Sequence, residues 1–266
     1  AVPALALEPP NATPQAAVRQ VDMTENSRDI AVVGMALRVP DADGPEEFWQ
    51  NLLAGRESVR PLPAERGGDG TFYAGLLEDR DFDASRYGLS ADDAAAMSPQ
   101  QRLVLEQGWA ALEDAGHNPR SLAGQRIGVY VGAEPSGWFS GSFEGASDAI
   151  VASRISYLLD FKGPALVVNT GCSASGAAIH LACESLRHGE CRMALAGGVF
   201  VGLTADVLKH QSDMLSPAGH CRTFAANGDG TVLSEAVGMV ALKRLEHARA
   251  DGDRIVGIIA ASGMNQ

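Results

Sequence analysis

The chain has no apolar run of the roughly 18 residues that would mark a membrane span. Its start lacks a basic stretch followed by an apolar one, so no signal peptide is expected. Cationic residues are the minority: 21 Lys and Arg face 33 Asp and Glu, a formal net charge of −12 with a pI near 4.9. That argues against a nucleic-acid partner, which needs a basic face. Cysteine is scarce. Cys172, Cys183, Cys191 and Cys221 show no CxxC spacing. A zinc site or disulfide framework is therefore not expected, and reduced thiols in a cytoplasmic setting fit. No short internal repeat appears. The Gly197-Gly198 pair matches neither a Walker A loop nor the dinucleotide fingerprint, and reads as close backbone packing.

What is present is a globular composition, 266 residues with 45% apolar and 20% charged content. Residues 1–28 carry four prolines and no sustained period, and read as a linker or flexible arm. Ile30–Met35 suits a buried strand. Asp43–Gly55 reads as a helix, with Pro45 in its first turn, Glu46 and Glu47 at its positive end and Gly55 as its cap. Residues 56–75, rich in Arg, Pro and Gly, read as irregular surface. Ser90–Ala115 is mostly helical, with Leu103, Leu105, Trp109 and Leu112 as an apolar stripe. A strand follows at Ile127–Gly132. Glu134–Ser147, with Trp138, Phe139 and Phe143, reads as a loop at a cleft or a dimer interface. After a helix at Ala149–Leu159 come further strands at Ala165–Val168, Met193–Val199, Ala236–Lys243 and Arg254–Ala261. Strands alternating with helices predict an α/β domain with a largely parallel, buried sheet.

The most informative stretch is Ala165–His188. A short apolar strand ends in Thr170-Gly171, Cys172 stands at the crest, and small residues open a helix. This is the pattern of a nucleophile elbow. A helix start offers unpaired N–H groups and the positive end of the dipole, surroundings that favour a thiolate. The small residues after Cys172 let a thioester approach. Cys172 is the candidate nucleophile. Cys183 and Cys191 read as core or helix-end residues, and Cys221 as a loop residue. The histidines are poor partners. His180 lies eight residues along the same helix, on the order of 12 Å away at the usual rise, beyond a general base's reach. His188 lies further still, His117 follows a helix end and reads as surface, and His210 and His220 have no evident place.

Several stretches together resemble the ketosynthase domains of modular polyketide synthases, within the β-ketoacyl synthase group. They include Ile30–Met35, Glu47-Phe-Trp49, Met97-Ser-Pro-Gln-Gln-Arg-Leu103, Arg154-Ile-Ser-Tyr157, Asn169-Thr-Gly-Cys172-Ser, Leu195–Val199, Met214-Leu-Ser-Pro217, Cys221-Arg-Thr-Phe224, Glu235 and Asp251–Ile255. The resemblance runs from about residue 29 to the end, in the family's order. It implies a thiolase-like αβαβα layered fold, with residues 29–266 as the N-terminal portion, the first half complete and the second beginning near 255. It implies acyl transfer from a phosphopantetheine thioester on acyl carrier protein to Cys172. Decarboxylative Claisen condensation with a malonyl-type extender would follow, in a homodimer, with no metal and no cofactor bound by the chain itself.

The resemblance also implies two histidines in the second half, and neither falls within these residues. A ketosynthase divided between two polypeptides is the favoured expectation, with a complementary C-terminal chain as partner; a truncated fragment and a non-catalytic relic are the rivals. Near the nucleophile the family's usual Asp-Thr-Ala-Cys-Ser-Ser-Ser is Asn169-Thr-Gly-Cys172-Ser-Ala-Ser, its Gly-Glu-Gly is Ser234-Glu235-Ala236, and its Asp after Thr-Phe is Ala225. Glu235 is either a support of the active site or a hydrogen-bonded structural carboxylate. These departures keep two alternatives open: a non-elongating acyl-transfer ketosynthase, and a non-catalytic dimerisation module.

Overall fold

In a computed structural model, which describes residues 28–135, 137–138 and 142–265, the first apolar run forms β1 (Ile30–Arg38). The expected linker, apart from residue 28, lies outside the described residues, as does Phe139. Helix α1 (Pro45–Leu53) has Pro in its first turn and Glu46 and Glu47 near its start. The segment expected to be irregular contains a small hairpin, β2 (Arg60–Pro61) with β3 (Tyr73–Ala74). The helical stretch divides into α2 (Ala91–Ala96) and α3 (Pro99–Asp114), each started by a serine side-chain cap, Ser90 and Ser98. β4 (Ile127–Ala133) is buried throughout. Past the expected loop come α4 (Phe143–Ala146) and α5 (Ile150–Leu158). Then follow β5 (Ala165–Val168), α6 (Ala174–Arg187), β6 (Met193–Phe200), α7 (Ala205–His210), β7 (Ala236–Arg244), α8 (Leu245–Asp251) and β8 (Gly257–Ile259). No described helix is long and apolar enough to cross a membrane.

Six strands form one sheet in the order β5-β4-β6-β7-β1-β8. It is mixed, which corrects the expected largely parallel sheet. β4 is parallel to β5 and β6, while β7 is antiparallel to β6 and β1, and β8 is antiparallel to β1. The last strand is also shorter than the expected Arg254–Ala261.

Side chains alternate between two faces, as the pleat requires. Val129 and Val131 of β4, Leu195 of β6 and Met239 and Ala241 of β7 join Leu105, Trp109, Leu112 and Ile155 in the large core under α3 and α5. Tyr130, Ala194, Ala196 and Leu242 face the other way, toward Ala178, Ala182, Cys183 and Leu186 of α6. A register shift in β1 between Val32 and Gly34 sets two residues of β1 against one of β7. The bulge lets Val33 and Gly34 both face α3. Gly34 is tight there: a Cβ would stand 2.3 Å from the carbonyl oxygen of Ala111. It also turns Met35 and Leu37 toward the α6 face.

Candidate active site

The site forms where β5 passes into α6. Asn169 opens the turn, its Oδ1 accepting from the amide of Gly171 at 3.0 Å. Gly171 has φ +63°, in the left-handed region that glycine enters without strain. The Ser173 hydroxyl donates to the carbonyl oxygen and Oγ1 of Thr170, at 3.0 and 2.9 Å, and makes no cap bond to the helix amides. The turn therefore closes on itself and leaves the start of α6 without a side-chain cap. Cys172 is exposed at its crest.

Glycines seat the helix close to the sheet. A Cβ on Gly132 of β4 would stand 2.4 Å from the backbone of Ala174 and Ser175, and one on Gly198 of β6 would stand 2.7 Å from Ser175 Cβ. A Cβ on Gly197 would meet the carbonyl oxygen of Gly238, at 1.9 Å. The glycine pair read from sequence as close packing is where the sheet receives α6 and β7 at once.

Beside α6 lies an open, mostly apolar cleft of ≈ 560 Å³. Cys172, Ser175 and Ile179 form its α6 wall. Met35 and Leu37 of β1, Gly238 and Val240 of β7, and Gly198 and Phe200 of β6 line its floor, and Glu134 and Gln211 are its polar side chains at the margin.

Glu235 lines no part of this cleft. Its carboxylate is buried and accepts four hydrogen bonds. The amides of Gly202 and Leu203 donate to Oε1 at 2.8 and 3.0 Å, Arg66 Nη1 donates to the same oxygen at 3.1 Å, and the Leu77 amide donates to Oε2 at 3.1 Å. Its neighbours Leu233 and Ala236 do line the cleft. Glu235 thus ties three loops together beneath the cleft's edge.

No histidine lines the cleft among the described residues. His180 Nδ1 lies 3.0 Å from the Ser262 hydroxyl, and His210 Nδ1 lies 2.6 Å from the carbonyl oxygen of Asp206. His220 approaches Glu57 at 3.4 Å. His117, expected at the surface, is half-buried, with Nε2 4.0 Å from Asp253, because the Asp253 loop folds over the end of α3. Cys183 and Cys191 are buried, and burial pushes both thiols up. Cys221 is exposed and accepts from the Val232 amide at 3.1 Å. Trp138 and Phe143 are exposed. No group of three or more His, Cys, Asp or Glu among the described residues could hold a metal ion.

The sequence reading missed Gln100 and Gln101. Both are fully buried polar residues at the start of α3, and both donate to the backbone flanking the cleft-side loop. The available signal was two polar residues adjoining an apolar stripe, inside a motif with no assigned task.

Helix α6 on one face of a mixed sheet, with helices on the other, defines one half of a thiolase-like layered fold. The chain belongs to the β-ketoacyl synthase family, whose N-terminal domain model matches residues 27–248. It is 42% identical over 270 residues to polyketide synthase GfsA of Streptomyces halstedii, an alignment covering 91% of this chain and 4% of that protein. It is 38% identical over 274 residues to polyketide synthase PksL of Bacillus subtilis, covering 91% and 6%. Among solved structures, the ketosynthase from module 6 of the bacillaene synthase of Bacillus subtilis 168 superposes with a TM-score of 0.84 at 40% identity, covering 90% of this chain and 44% of that one. The oxazolomycin ketosynthase domain OzmH KS7 of Streptomyces albus JA3453 gives 0.78 at 36%, covering 87% and 46%. The chain thus spans a small part of these synthases and less than half of each solved ketosynthase.

Proposed function

We propose that the chain is the cysteine-bearing portion of a polyketide ketosynthase. The observation that carries this reading is an exposed cysteine at a strand-to-helix turn on the wall of an apolar cleft. The Cys172 thiolate attacks the acyl carbonyl of a phosphopantetheine thioester carried by acyl carrier protein. The pantetheine thiolate leaves and an acyl-cysteine forms. A malonyl-type extender then loses carbon dioxide, and its carbanion attacks the acyl-cysteine, releasing a β-ketoacyl thioester and the free thiolate. The start of α6 contributes its dipole and backbone N–H groups to the oxyanion and the thiolate.

Among the described residues no histidine lines the cleft to assist decarboxylation. The groove beside α6 supports a completed site. α6 covers β4 and β6, while Val32, Val240 and Ile259 remain only partly buried on the same face. Among the described residues a strip of this sheet face stays open, and Cys172 stands on its margin. The remainder of a ketosynthase fold fills that strip and brings the two histidines, either in the same polypeptide or as a complementary C-terminal chain. In this reading residues 29–254 are the first half and β8 opens the second. The completed enzyme is a homodimer joined along β5, an edge strand with Leu166 and the neighbouring Tyr157 exposed. Free thiols at all four cysteines fit a cytoplasmic setting.

An acyl-pantetheine thioester should add one acyl group to the chain by intact mass, and Cys172→Ala should remove it. A wild-type chain that takes up no acyl group, even with the remaining fold supplied, would overturn the reading. With malonyl-carrier protein and the completed fold, a β-keto product marks elongation; acylation without product marks the non-elongating alternative.

A further inference from the structure

Ser262 lies just past β8 and takes no part in the chemistry above, yet side chains of α6 converge on it. Its hydroxyl is 3.0 Å from His180 Nδ1, and Arg187 Nη1 donates to its oxygen at 3.1 Å. It also stands beside the buried Cys183 thiol. Arg187 is only 8% exposed. A buried guanidinium is costly unless its donors are used. Here Nη1 also donates to Glu184 Oε1 at 2.7 Å, and Nε donates to the Arg28 carbonyl at 3.0 Å, just ahead of β1. Positions 180, 183, 184 and 187 recur at spacings of three and four, so they share one face of α6. β8 is at the edge of the sheet, with β1 and β7 between it and β6. At about 4.8 Å between neighbouring strands, β6 is about 14 Å from β8. The three steps from Ile259 to Ser262 extend about 10 Å, and long side chains reaching out from α6 meet them. β8 pairs with Ile30, Ala31 and Val32, whereas Met35 and Leu37 of the same strand line the cleft. The crossing therefore lies at the end of the sheet away from Cys172.

We infer that His180 and Arg187 are positioning residues: through Ser262 they strap the segment after β8 to the helix that carries Cys172, so that the fold continuing from that segment is registered to α6 rather than to the sheet edge. The strap bounds the open groove at its far end. The inference rests on the ketosynthase reading for its consequence, but the strap itself is tested without catalysis.

The test is alkylation of the native full chain by iodoacetamide, read by peptide mass spectrometry. Cys191 is the internal reference, because it is buried in the same core as Cys183 but contacts Ser185 instead of the strap. Ser262→Ala should speed alkylation of Cys183 relative to Cys191 about tenfold. His180→Phe and Arg187→Met should do the same, and Ser262→Thr, which keeps the hydroxyl, should hold the wild-type ratio. Amide exchange over residues 257–263 should rise with the ratio, with β4 and β6 unchanged. If Arg187→Met does not fold, the half-buried Ser262 variants carry both measurements. An unchanged ratio in Ser262→Ala, an equal rise at Cys183 and Cys191, or a Ser262→Thr chain that behaves like Ser262→Ala would each overturn the inference. With the remaining fold supplied, Ser262→Ala should cut β-keto product about tenfold while Cys172 acylation stays within about twofold; a parallel fall in both would overturn the registering role. Where the wild type does not elongate, alkylation and exchange decide alone. A chain that keeps the strap but forms no acyl-cysteine would overturn the proposed function and leave the strap standing.

Discussion

At the residue scale, surroundings divide the four thiols. Burial raises the Cys183 and Cys191 thiols, so both stay protonated at about pH 8, where an ordinary thiol is partly ionised. Cys172 and Cys221 are exposed. Iodoacetamide at about pH 8 should modify Cys172 and Cys221 in the native chain and reach the other two only in denaturant, as read by peptide mass spectrometry. Glu235 has a different task. Its four donors, three on Oε1 and one on Oε2, account for its burial. Removing it strands a partly buried guanidinium and three amides, so Glu235→Ala should lower unfolding stability by about 3–5 kcal/mol. The denaturant midpoint should fall while the native alkylation rate of Cys172 stays within about twofold. A folded variant with normal stability and a slowed thiol would make Glu235 a support of the active site. The elbow around Cys172 was legible in the sequence because strand, turn and helix are contiguous there. The work of Glu235 was not, because its partners come from residues 66, 77, 202 and 203.

At the element scale, the seat of α6 is set by missing side chains. A methyl at Gly132 would run into the helix backbone and one at Gly198 into Ser175. Gly132→Ala and Gly198→Ala should each cost about 1–3 kcal/mol by overpacking, since Ser175 Cβ is fixed to the helix backbone and cannot turn away. In both, the rate of Cys172 acylation should fall in step with displacement of the elbow, while the alkylation of Cys221 serves as an unaffected reference. Element types were largely legible, because α3, α6 and the strands carry clear apolar patterns and capping residues. Strand direction was not. The β6–β7 connection contains a helix and so reads as a crossover between parallel strands. α7 instead leaves the sheet and packs its Leu208 with Leu62, Ala74 and Leu203 in a separate small core. The chain returns antiparallel, a choice made by a third cluster that no local pattern announces.

At the scale of the whole molecule, the described residues close one sheet face and leave the other half open. The open strip is apolar, and uncovered surface of this kind favours association. The chain alone should therefore bind an apolar dye such as ANS and self-associate on size exclusion. Adding the remaining part of a ketosynthase fold, in cis or in trans, should abolish the dye signal and yield a stable species. A monomeric chain without dye binding would show that the strip is closed by the chain itself. The strand order also carries a consequence in time. Of the strands in this sheet β1 is synthesised first, yet it pairs with β7 and β8, the last two in sequence order. At about 5–20 residues per second, it waits on the order of ten seconds or more before either neighbour exists. Its earlier companion is α3, which packs against it at Gly34. Synthesis thus assembles a strand and helix of this domain first and its sheet last, and the domain's most vulnerable interval falls before β7 (Ala236–Arg244) is translated.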